Sequence, residues 1–541
     1  MRALLLLPLY AAVVAARVLP VQSVFSALGR TPATASSPTS YTTVLDADPE
    51  FAQWADSQRV LAFAHLQANI GPDGANVRAD NVVPGAVIAS PSRSRPDYFF
   101  QWVRDGAITM RAVVDEYIAS GGADFSLRAM LDAYVDACAG VQRTPNRSGK
   151  PWADGLGEPK FTADGSPYSG DWGRPQRDGP ALRASTLIAY VRARAALGDG
   201  LDEMSGVYFG AIKPDLEYVA GGWAAPGFDL WEEVQGLHFF TAMVQYRALR
   251  EGEALAADFG DTGAASWYHM QATGLSGLLR AFWNDERAHL VETLGSWRSG
   301  LDAAVVLGAI HGNGDVYALH SDAVLASLHA LVENMRAQYP INAKDSENAD
   351  DDLPLAAAIG RYPEDVYDGG DATSVEQVDR ANPWFLCTAS VAHALYALAE
   401  HLALSDKPLI VTNVTAPFYM PLIPAAVTPE MATYYDFTGP GAWVATAPVL
   451  AFAAGSAAAE SVIINVFRYA DSFLRIVRRH MGQGGHMSEQ IDADSGFMRG
   501  ASDLTWSYEA VLSAAKARQR ALDAMRQREA FFKLLEHKPE W

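Results

Sequence analysis

The fold class is indicated by the stretch from Asn382 to Leu404, which reads NPWFLCTASVAHALYALAEHLAL. Its apolar residues recur at intervals of three and four, and this spacing places them on one face of an α-helix. Asn382-Pro383 is a helix-start signal, because Asn caps free N–H groups and Pro is tolerated in the first turn. Asp48-Pro49 repeats the signal near the N-terminus, and we expect the ordered chain to begin there.

The same periodicity recurs along the rest of the chain. Strand-like alternation is confined to Leu409–Val414 and the region around Pro424–Val427. We therefore predict an all-α fold. The other stretches with helical periodicity are Gly106–Ala119, Ser126–Val141, Pro180–Leu197, Phe239–Gly252, Ser266–Trp283, Ser321–Tyr339, Ser461–Met481 and Leu504–Leu535.

Several long loops combine Trp or Tyr with Asp, Glu and Arg. Long structured loops of this kind are more typical of function than of simple connection. Antiparallel helical hairpins arranged around a ring would bring alternate loops onto one face, which is the architecture of an α/α toroid. The loops concerned are Pro96–Asp105, Phe161–Asp178, Gly227–Glu233, Gly360–Tyr367 and Gly485–Tyr508.

Composition limits the class of partner. The chain has 541 residues, of which 49% are hydrophobic, so it can bury a large core. Its formal net charge of −21 repels nucleic-acid phosphates and does not oppose a neutral ligand. We therefore expect no nucleic-acid partner.

The N-terminus has the pattern of a secretory signal peptide. Arg2 precedes the apolar run Leu4–Val14, and alanines near position 16 provide a cleavage site. The Ala-rich segment 443–459 is interrupted by Pro and Gly, so no membrane anchor is expected. The predicted segments are a signal peptide at 1–16, a propeptide or flexible linker at 17–45, the main domain at 46–515 and a charged helical extension at 516–541.

Two cysteines, Cys138 and Cys387, are too few for a disulfide scaffold, and we expect two buried free thiols. In a secreted chain, the triplets that begin at Asn146 and Asn413 are N-glycosylation acceptors. The expected assembly state is a monomer.

Two segments supply candidate catalytic carboxyl groups. Asp229-Leu230-Trp231-Glu232-Glu233 places two glutamates beside Trp, and an apolar wall or a neighbouring carboxylate raises a carboxyl pKa toward that of a general acid. Glu489, before an aromatic segment, is the second candidate. Two carboxyl groups cleave a glycosidic bond with inversion at about 6.5–9.5 Å separation and with retention at about 5–5.5 Å. The residues alone leave both outcomes open.

Sugar binding requires flat apolar platforms and planar hydrogen-bond donors. Each candidate platform stands within a few residues of Asp, Glu or Arg, and Arg104-Asp105 and Arg361 offer donors and an acceptor for hydroxyl groups. The sequence contains no HExxH, CxxC, P-loop or GxSxG motif to indicate a different chemistry. The platforms are Trp102, Trp172, Trp231 and Trp506.

Taken together, these segments resemble the active-site segments of fungal-type glucoamylases, glycoside hydrolase family 15. The resemblance is collinear and covers residues 46–515. The matching segments are Pro96–Asp105, Gly155–Phe161, Trp172–Pro180, Asp229–Val234, Gly360–Asp365, Asn382–Cys387, Met487–Gln490 and Asp503–Tyr508.

The resemblance implies an (α/α)6 toroid without a metal or organic cofactor. It implies hydrolysis with inversion of terminal α-1,4-linked, and more slowly α-1,6-linked, glucose from the non-reducing ends of starch, glycogen and malto-oligosaccharides, releasing β-D-glucose. Glu232 would be the general acid and Glu489 the general base. The implied substrate-binding residues are Tyr98, Trp102, Arg104, Asp105, Trp172, Asp229, Leu230, Trp231, Glu233, Arg361, Tyr367, Gln490 and Trp506.

The sequence departs from the family pattern at several positions. Gly500 stands where a Ser that can contact the base is common, Ser502 replaces an Arg, and Asp171 replaces a Ser. Asp368–Arg380 resembles an insertion beside the pocket. We expect no starch-binding domain, and therefore action on soluble oligosaccharides rather than on raw granules.

Two alternatives stay open. The chain could be another toroidal carbohydrate enzyme, such as a trehalase, glucodextranase or disaccharide phosphorylase. It could also be a secreted glucan-binding protein without activity. A substrate panel with and without phosphate separates these possibilities.

Overall fold

The computed structural model describes residue 41 and residues 48–78, 82–345, 353–370, 380–424 and 448–536. The predicted signal peptide at 1–16, nearly all of the linker at 17–45 and residues 537–541 of the C-terminal extension lie outside the described residues. The same holds for most of the 368–380 insertion and for the strand-like region beyond Pro424.

Twelve long helices form the body of the part of the chain that the structure describes. The predicted helical stretches are confirmed, with ends shifted by a few residues. Neither α5 nor α8 was predicted. The chain enters α5 through a π-helical turn at Tyr208–Ile212, which shifts the spacing of its apolar residues, and α8 is apolar on every face and so shows no periodicity. The helices are α1 (Pro49–Ala68), α2 (Val103–Ala119), α3 (Phe125–Arg143), α4 (Asp178–Ala196), α5 (Lys213–Gly222), α6 (Phe239–Asp258), α7 (Thr262–Leu279), α8 (Ala303–His311), α9 (Asp322–Gln338), α10 (Phe385–Leu404), α11 (Ala457–His480) and α12 (Thr505–Glu536).

The two helix-start signals have different outcomes. At α1 the signal is confirmed, since Asp48 accepts a hydrogen bond from Phe51 N at 2.9 Å and Pro lies in the first turn. The start predicted at Asn382-Pro383 is wrong by three residues, because α10 begins at Phe385. The Asn382 side chain is used elsewhere: it donates to Gln490 Oε1 at 2.9 Å and accepts from Ala493 N at 3.0 Å.

The twelve helices make two concentric rings. The inner ring consists of α2, α4, α6, α8, α10 and α12, each in contact with the next, and α12 packs back against α2. Each outer helix packs on an inner one: α1 on α12, α3 on α2, α5 on α4, α7 on α6, α9 on α8 and α11 on α10. This arrangement is the predicted (α/α)6 toroid.

Short antiparallel pairs of strands lie in the loops between the helices. Three of these pairs position Trp102, Glu232 and Glu489, because these residues lie at or beside the ends of the paired strands. The predicted strand at Leu409–Val414 is confirmed as β7. The pairs are β1 (Phe100–Trp102) with β2 (Lys160–Thr162), β3 (Gly227–Phe228) with β4 (Gln235–Gly236), β5 (Trp283–Asn284) with β6 (His289–Leu290), β7 (Leu409–Thr412) with β8 (Pro448–Phe452), and β9 (Gln490–Ile491) with β10 (Met498–Arg499).

Where the inner ring closes, hydrogen bonds join residues near its N-terminal end to residues near its C-terminal end. Thr505, the first residue of α12, donates from its N–H to Ala89 O at 2.9 Å and from its hydroxyl to Ile88 O at 2.7 Å. Asn69, just after α1, donates to Asp503 O at 2.9 Å and to Thr505 Oγ1 at 2.8 Å. These bonds join residues more than 400 positions apart in the sequence.

The final helix continues well beyond residue 515. Ala517, Ala521 and Met525 are fully buried in the core, and Arg528 donates to Glu460 of α11 at 2.8–3.0 Å. The hydroxyl of Tyr41, from the segment expected to be a linker, also donates to Glu460.

Both cysteines are buried free thiols, as expected. Within the described ranges, no helix has the length and apolar character needed to cross a membrane.

A buried ion pair between α4 and α5 gives a stability prediction. Arg183 binds both Asp215 oxygens at 2.7 Å, and the two residues are 2% and 0% exposed. Arg183→Met leaves a buried carboxylate without its partner, so we expect a loss of about 3–5 kcal/mol in the free energy of unfolding. Urea denaturation measures it. The matched control is Arg192→Met, whose pair with Asp258 is 41–45% exposed and should contribute less than about 1 kcal/mol. Equal losses for the two variants would contradict the prediction.

Candidate active site

A cavity of about 500 Å³ lies at the N-terminal ends of α2, α10 and α12. The cavity is lined by residues from five separate parts of the chain, and the ring of helices places these parts side by side. The lining residues are Ala89, Tyr98, Trp102, Arg104, Asp105, Leu230, Trp231, Glu232, Arg361, Tyr367, Trp384, Glu489, Leu504 and Trp506.

Glu232 lies in a tight turn between β3 and β4. Its φ of 70° falls in the left-handed region, where a non-glycine residue is strained by about 1–3 kcal/mol. The Asp229 carboxylate holds the turn, because its Oδ1 accepts from the N–H groups of Glu233 and Val234 at 2.7 Å each. The turn thus directs Glu232 into the cavity at a conformational cost that Asp229 offsets.

The two oxygens of Glu232 have different surroundings. Oε1 accepts hydrogen bonds from Trp102 Nε1 at 2.6 Å and from Gln176 Nε2 at 2.9 Å. Gln176 in turn accepts from Arg104 at 3.0 Å, which fixes its orientation. Within the part of the chain that the structure describes, Oε2 receives no hydrogen bond. A proton carried by Glu232 is therefore best placed on Oε2, since Oε1 already accepts two donors.

Glu489 lies directly before β9 and is fully buried. Burial raises the pKa of Glu489 to about 7, although the hydroxyls of Tyr98 and Tyr367 and the charge of Arg361 lower it. Tyr367 donates to Oε2 at 3.3 Å, and its hydroxyl lies 3.1 Å from that of Tyr98. Oε1 has no partner among the described residues, so it can accept a hydrogen bond from a molecule in the cavity.

Gly500 lies against the Glu489 side chain. A Cβ atom at this position would lie 2.3 Å from Glu489 Oε2, and the Gly500 φ is 74°. Both the space and the backbone conformation therefore require glycine here. Gly500, which stands where the family pattern has Ser, therefore lets the backbone lie close to the Glu489 carboxyl group.

Buried polar atoms without partners mark the ligand surface of the cavity. Five of them belong to its lining residues: Arg104 Nε, Asp105 Oδ2, Trp384 Nε1, Trp506 Nε1 and Glu489 Oε1. Arg104 Nε and Asp105 Oδ2 make no hydrogen bond but lie 3.4 Å apart as an ion pair. Each buried unpaired polar atom costs about 1–3 kcal/mol. Burial also raises the pKa of Asp105 to about 6, although Arg104 lowers it. A ligand rich in hydroxyl groups can pair with all of these atoms.

Arg361 is the centre of a second charge network. It binds both Asp365 oxygens at 2.6–2.7 Å and reaches Glu233 Oε1 at 2.8 Å. Glu233 Oε2 also accepts from Arg298 at 2.8 Å and from the Tyr362 hydroxyl. Burial would raise the pKa of Glu233, but Arg361, Tyr362 and Arg298 outweigh it and hold this pKa below its usual value. Glu233 is therefore held in its carboxylate form.

Four of the predicted binding residues lie outside the cavity lining. Trp172 packs edge-on against Trp102, with ring centroids 5.9 Å apart. Asp229 holds the Glu232 turn, Glu233 pairs with arginines, and Gln490 accepts from Asn382 in the core. Their contacts support the lining from behind.

Sequence reasoning gave no role to Lys160, Gln176, Asp178 or Trp384, although all four stand in quoted segments. Asp178 binds Arg104 at 3.2 Å, and Trp384 lines the cavity. Lys160 Nζ lies 3.5–4.4 Å from the ring centroids of Phe100, Trp102, Tyr168 and Trp172. Burial lowers the pKa of Lys160 to about 8. The signal was weak, because a single Lys or Gln in a loop does not reveal its distant partners.

Comparison with known proteins places this site in context. The family model "Glycosyl hydrolases family 15" matches residues 62–516. The chain is 35% identical to a probable glucoamylase of Schizosaccharomyces pombe, over 86% of this chain and 92% of that protein. It is 34% identical to glucoamylase GLU1 of Saccharomycopsis fibuligera, over 86% of this chain and 90% of that protein.

Solved structures show the same likeness. The atomic-resolution glucoamylase from Saccharomycopsis fibuligera superposes with a TM-score of 0.77 at 33% identity, covering 87% of this chain and 96% of that one. The family 15 glucoamylase from Hypocrea jecorina has a TM-score of 0.74 at 32% identity, covering 87% of this chain and 72% of that one.

The contact between Gly500 and Glu489 can be tested with two alanine variants. Gly500→Ala should displace the Glu489 carboxyl group and destabilise the fold by about 1–3 kcal/mol beyond the cost of the backbone conformation. Gly165→Ala is the matched control, because its φ is 79° and nothing lies within 4 Å of the added Cβ. The control should lose only about 1–2 kcal/mol. Denaturation midpoints measure the difference, and equal midpoints for the two variants would refute the contact.

Proposed function

The chain belongs to the glycosyl hydrolases family 15, and we propose that it is a glucan 1,4-α-glucosidase that acts with inversion of configuration. It releases β-D-glucose from the non-reducing ends of starch, glycogen and malto-oligosaccharides. The observation that carries the proposal is that Glu232 and Glu489, from distant parts of the chain, line one cavity with unpaired polar atoms.

Glu232 acts as the general acid. Its Oε1 is held by Trp102 and Gln176, which supports a proton on Oε2 directed at the glycosidic oxygen. The proton passes to this oxygen as the bond to the anomeric carbon breaks, so the leaving sugar departs as a neutral alcohol.

Glu489 acts as the general base. Its partner-free Oε1 accepts a proton from a water molecule, whose oxygen attacks the anomeric carbon from the face opposite the leaving group. Tyr98 and Tyr367 stabilise the carboxylate form and orient it. Inversion requires room for this water, and a separation of about 6.5–9.5 Å between the two carboxyl groups provides it.

Arg104, Asp105 and Trp506 hold the terminal glucose. Their atoms without a hydrogen bond offer two N–H donors and one carboxylate acceptor to its outer hydroxyl groups, and Arg104 Nε and Asp105 Oδ2 lie 3.4 Å apart as an ion pair. Pairing with the hydroxyls of a chain end makes the enzyme exo-acting, since an internal glucose has its 4-hydroxyl in a linkage. Leu230, Trp231 and Arg361 complete the same subsite.

The aromatic and charged residues behind the lining shape the next subsite from outside the cavity. Trp172 and Trp102 pack together beside Lys160, and Glu233 and Gln490 shape the local electrostatics. From the resemblance to fungal-type glucoamylases we expect slower activity on α-1,6 linkages.

We also propose export. Residues 1–16 serve as the signal peptide, and the catalytic domain of a monomer spans the predicted residues 46–515 together with the rest of α12, which packs into the same core. Asn413 is exposed and is the better glycan acceptor. Asn146 Nδ2 already donates to Thr144 O at 3.2 Å and Gly155 O at 2.9 Å, and a glycan there would replace one of the two N–H groups that make these bonds.

The roles of the two carboxyl groups can be tested by amide substitution. Glu232→Gln and Glu489→Gln should each reduce kcat on maltose by at least about 10²–10⁴-fold, because each removes one proton-transfer group. Glu286→Gln, on an exposed hairpin, is the control and should keep full activity. Circular dichroism checks folding. Proton NMR of the first product should show β-glucose; α-glucose would exclude inversion, and activity only with phosphate would indicate a phosphorylase.

The hydroxyl of Tyr98 should set the acid side of the pH profile. The base must be ionised, so kcat/KM falls as pH drops through the pKa of Glu489. Tyr98 lowers this pKa, and Tyr98→Phe therefore moves the acid limb of the kcat/KM profile to higher pH. Tyr246→Phe, on α6 away from the cavity, should leave the limb in place. An acid limb at unchanged pH in Tyr98→Phe would contradict the assignment of Glu489 as base.

A further inference from the structure

Three side chains with metal-binding atoms meet outside the cavity, where the ring closes. His65 lies in the last turn of α1, His486 lies three residues before Glu489, and Asp503 lies just before α12. One ligand atom from each lies within 4.8 Å of the other two. None of the three lines the cavity of the proposed active site.

Contacts on every side orient these groups. The His65 ring stacks on Tyr508 with centroids 4.9 Å apart and an 18° angle, and it lies 4.4 Å from the His486 ring. His486 Nδ1 lies 2.7 Å from Asp503 Oδ1, which also accepts from the Tyr508 hydroxyl. His65 Nε2 lies 2.9 Å from Gly484 O. The cluster is therefore arranged before any ion binds.

The ligand set suits a divalent transition-metal ion. Two imidazole nitrogens and one carboxylate oxygen are common ligands of zinc, with bond lengths of about 2.0–2.2 Å. Such bonds place ligand atoms about 3.3 Å apart in a tetrahedron. The three ligand atoms lie within 4.8 Å of one another and must move closer to reach this geometry. The His486 side chain is 50% exposed, so water can supply a fourth ligand.

The surrounding charge also favours a cation. The chain carries a formal net charge of −21, and Asp503 provides a carboxylate at the cluster itself. Calcium and magnesium prefer sets made of oxygen ligands, so they fit this cluster less well.

We propose that His65, His486 and Asp503 bind one divalent transition-metal ion of the zinc class. The ion is structural and takes no part in the proposed hydrolysis. It ties α1 to both ends of the segment that carries Glu489 and Gly500.

The backbone explains how such an ion would act on that segment. Gly482 N donates to His486 O at 2.8 Å, Leu504 N donates to Met487 O at 3.2 Å, and Met487 N donates to the Tyr508 hydroxyl at 3.2 Å. His486 and Asp503 thus stand at the two ends of a hydrogen-bonded loop. Holding both ends to α1 restricts the opening of this loop and stabilises the folded state.

Isothermal titration of the EDTA-dialysed full chain with zinc chloride tests the site. We expect one ion per chain with a micromolar Kd, and a thermal midpoint that rises by a few degrees with saturating zinc. His65→Ala and His486→Ala should each weaken binding by about 10–100-fold. The control is His269→Ala. His269 is an exposed histidine of α7 that pairs with Glu253 of α6, and this variant should bind zinc as the unchanged chain does.

The histidine variants are also made as Gln, which keeps a hydrogen-bonding group if an alanine variant unfolds. The proposal is overturned if the unchanged chain does not bind zinc. It is also overturned if the His65 and His486 variants bind zinc as tightly as the control does. Calcium chloride in the same titration should bind more weakly, and tighter calcium than zinc binding also overturns it. Because the readout is binding, the result does not depend on the proposed activity.

Discussion

Closure of the inner ring is the constraint on which the rest of the structure depends. The first inner helix follows residue 102 and the last begins at residue 505, and only their contact brings the cavity walls together. Thr505 joins these walls through Ile88 and Ala89, and Ala89 itself lines the cavity. The same closure also brings His65 to His486. A toroid that failed to close would leave every helix intact and yet have no site.

The cavity imposes different environments on its two carboxyl groups. Glu232 is held in a strained turn, accepts two N–H donors on one oxygen and keeps the other free. Glu489 is fully buried beside two tyrosine hydroxyls and a bare glycine Cα. Desolvation works against the charged form of Glu489, and the hydroxyl donors work for it. The separation of the proposed acid and base roles therefore depends on neighbours that are assigned no chemistry.

Sequence reasoning predicted the periodic features well, because helical spacing is local. It found nearly all of the long helices and most of the residues that line the cavity, since these stand in motifs. It missed α8, whose uniform apolarity has no period, and it placed the start of α10 too early, because Asn382 serves Gln490 and Ala493 rather than a cap. It could not foresee that Gln176 links Arg104 to Glu232, or that four rings surround Lys160. Such roles depend on partners that only the folded ring brings near.

A ring of this kind has no preferred starting helix. Phe51, near the start of α1, lies under the guanidinium of Arg518 in α12, and Glu460 receives both Tyr41 and Arg528. Residues near the beginning and the end of the described chain are thus neighbours in space. Joining them with a short peptide and cutting the exposed turn at Gly260 between α6 and α7 would change the order of the helices along the chain but none of their contacts. Gene rearrangements that rotate the helical repeats are therefore compatible with the same cavity.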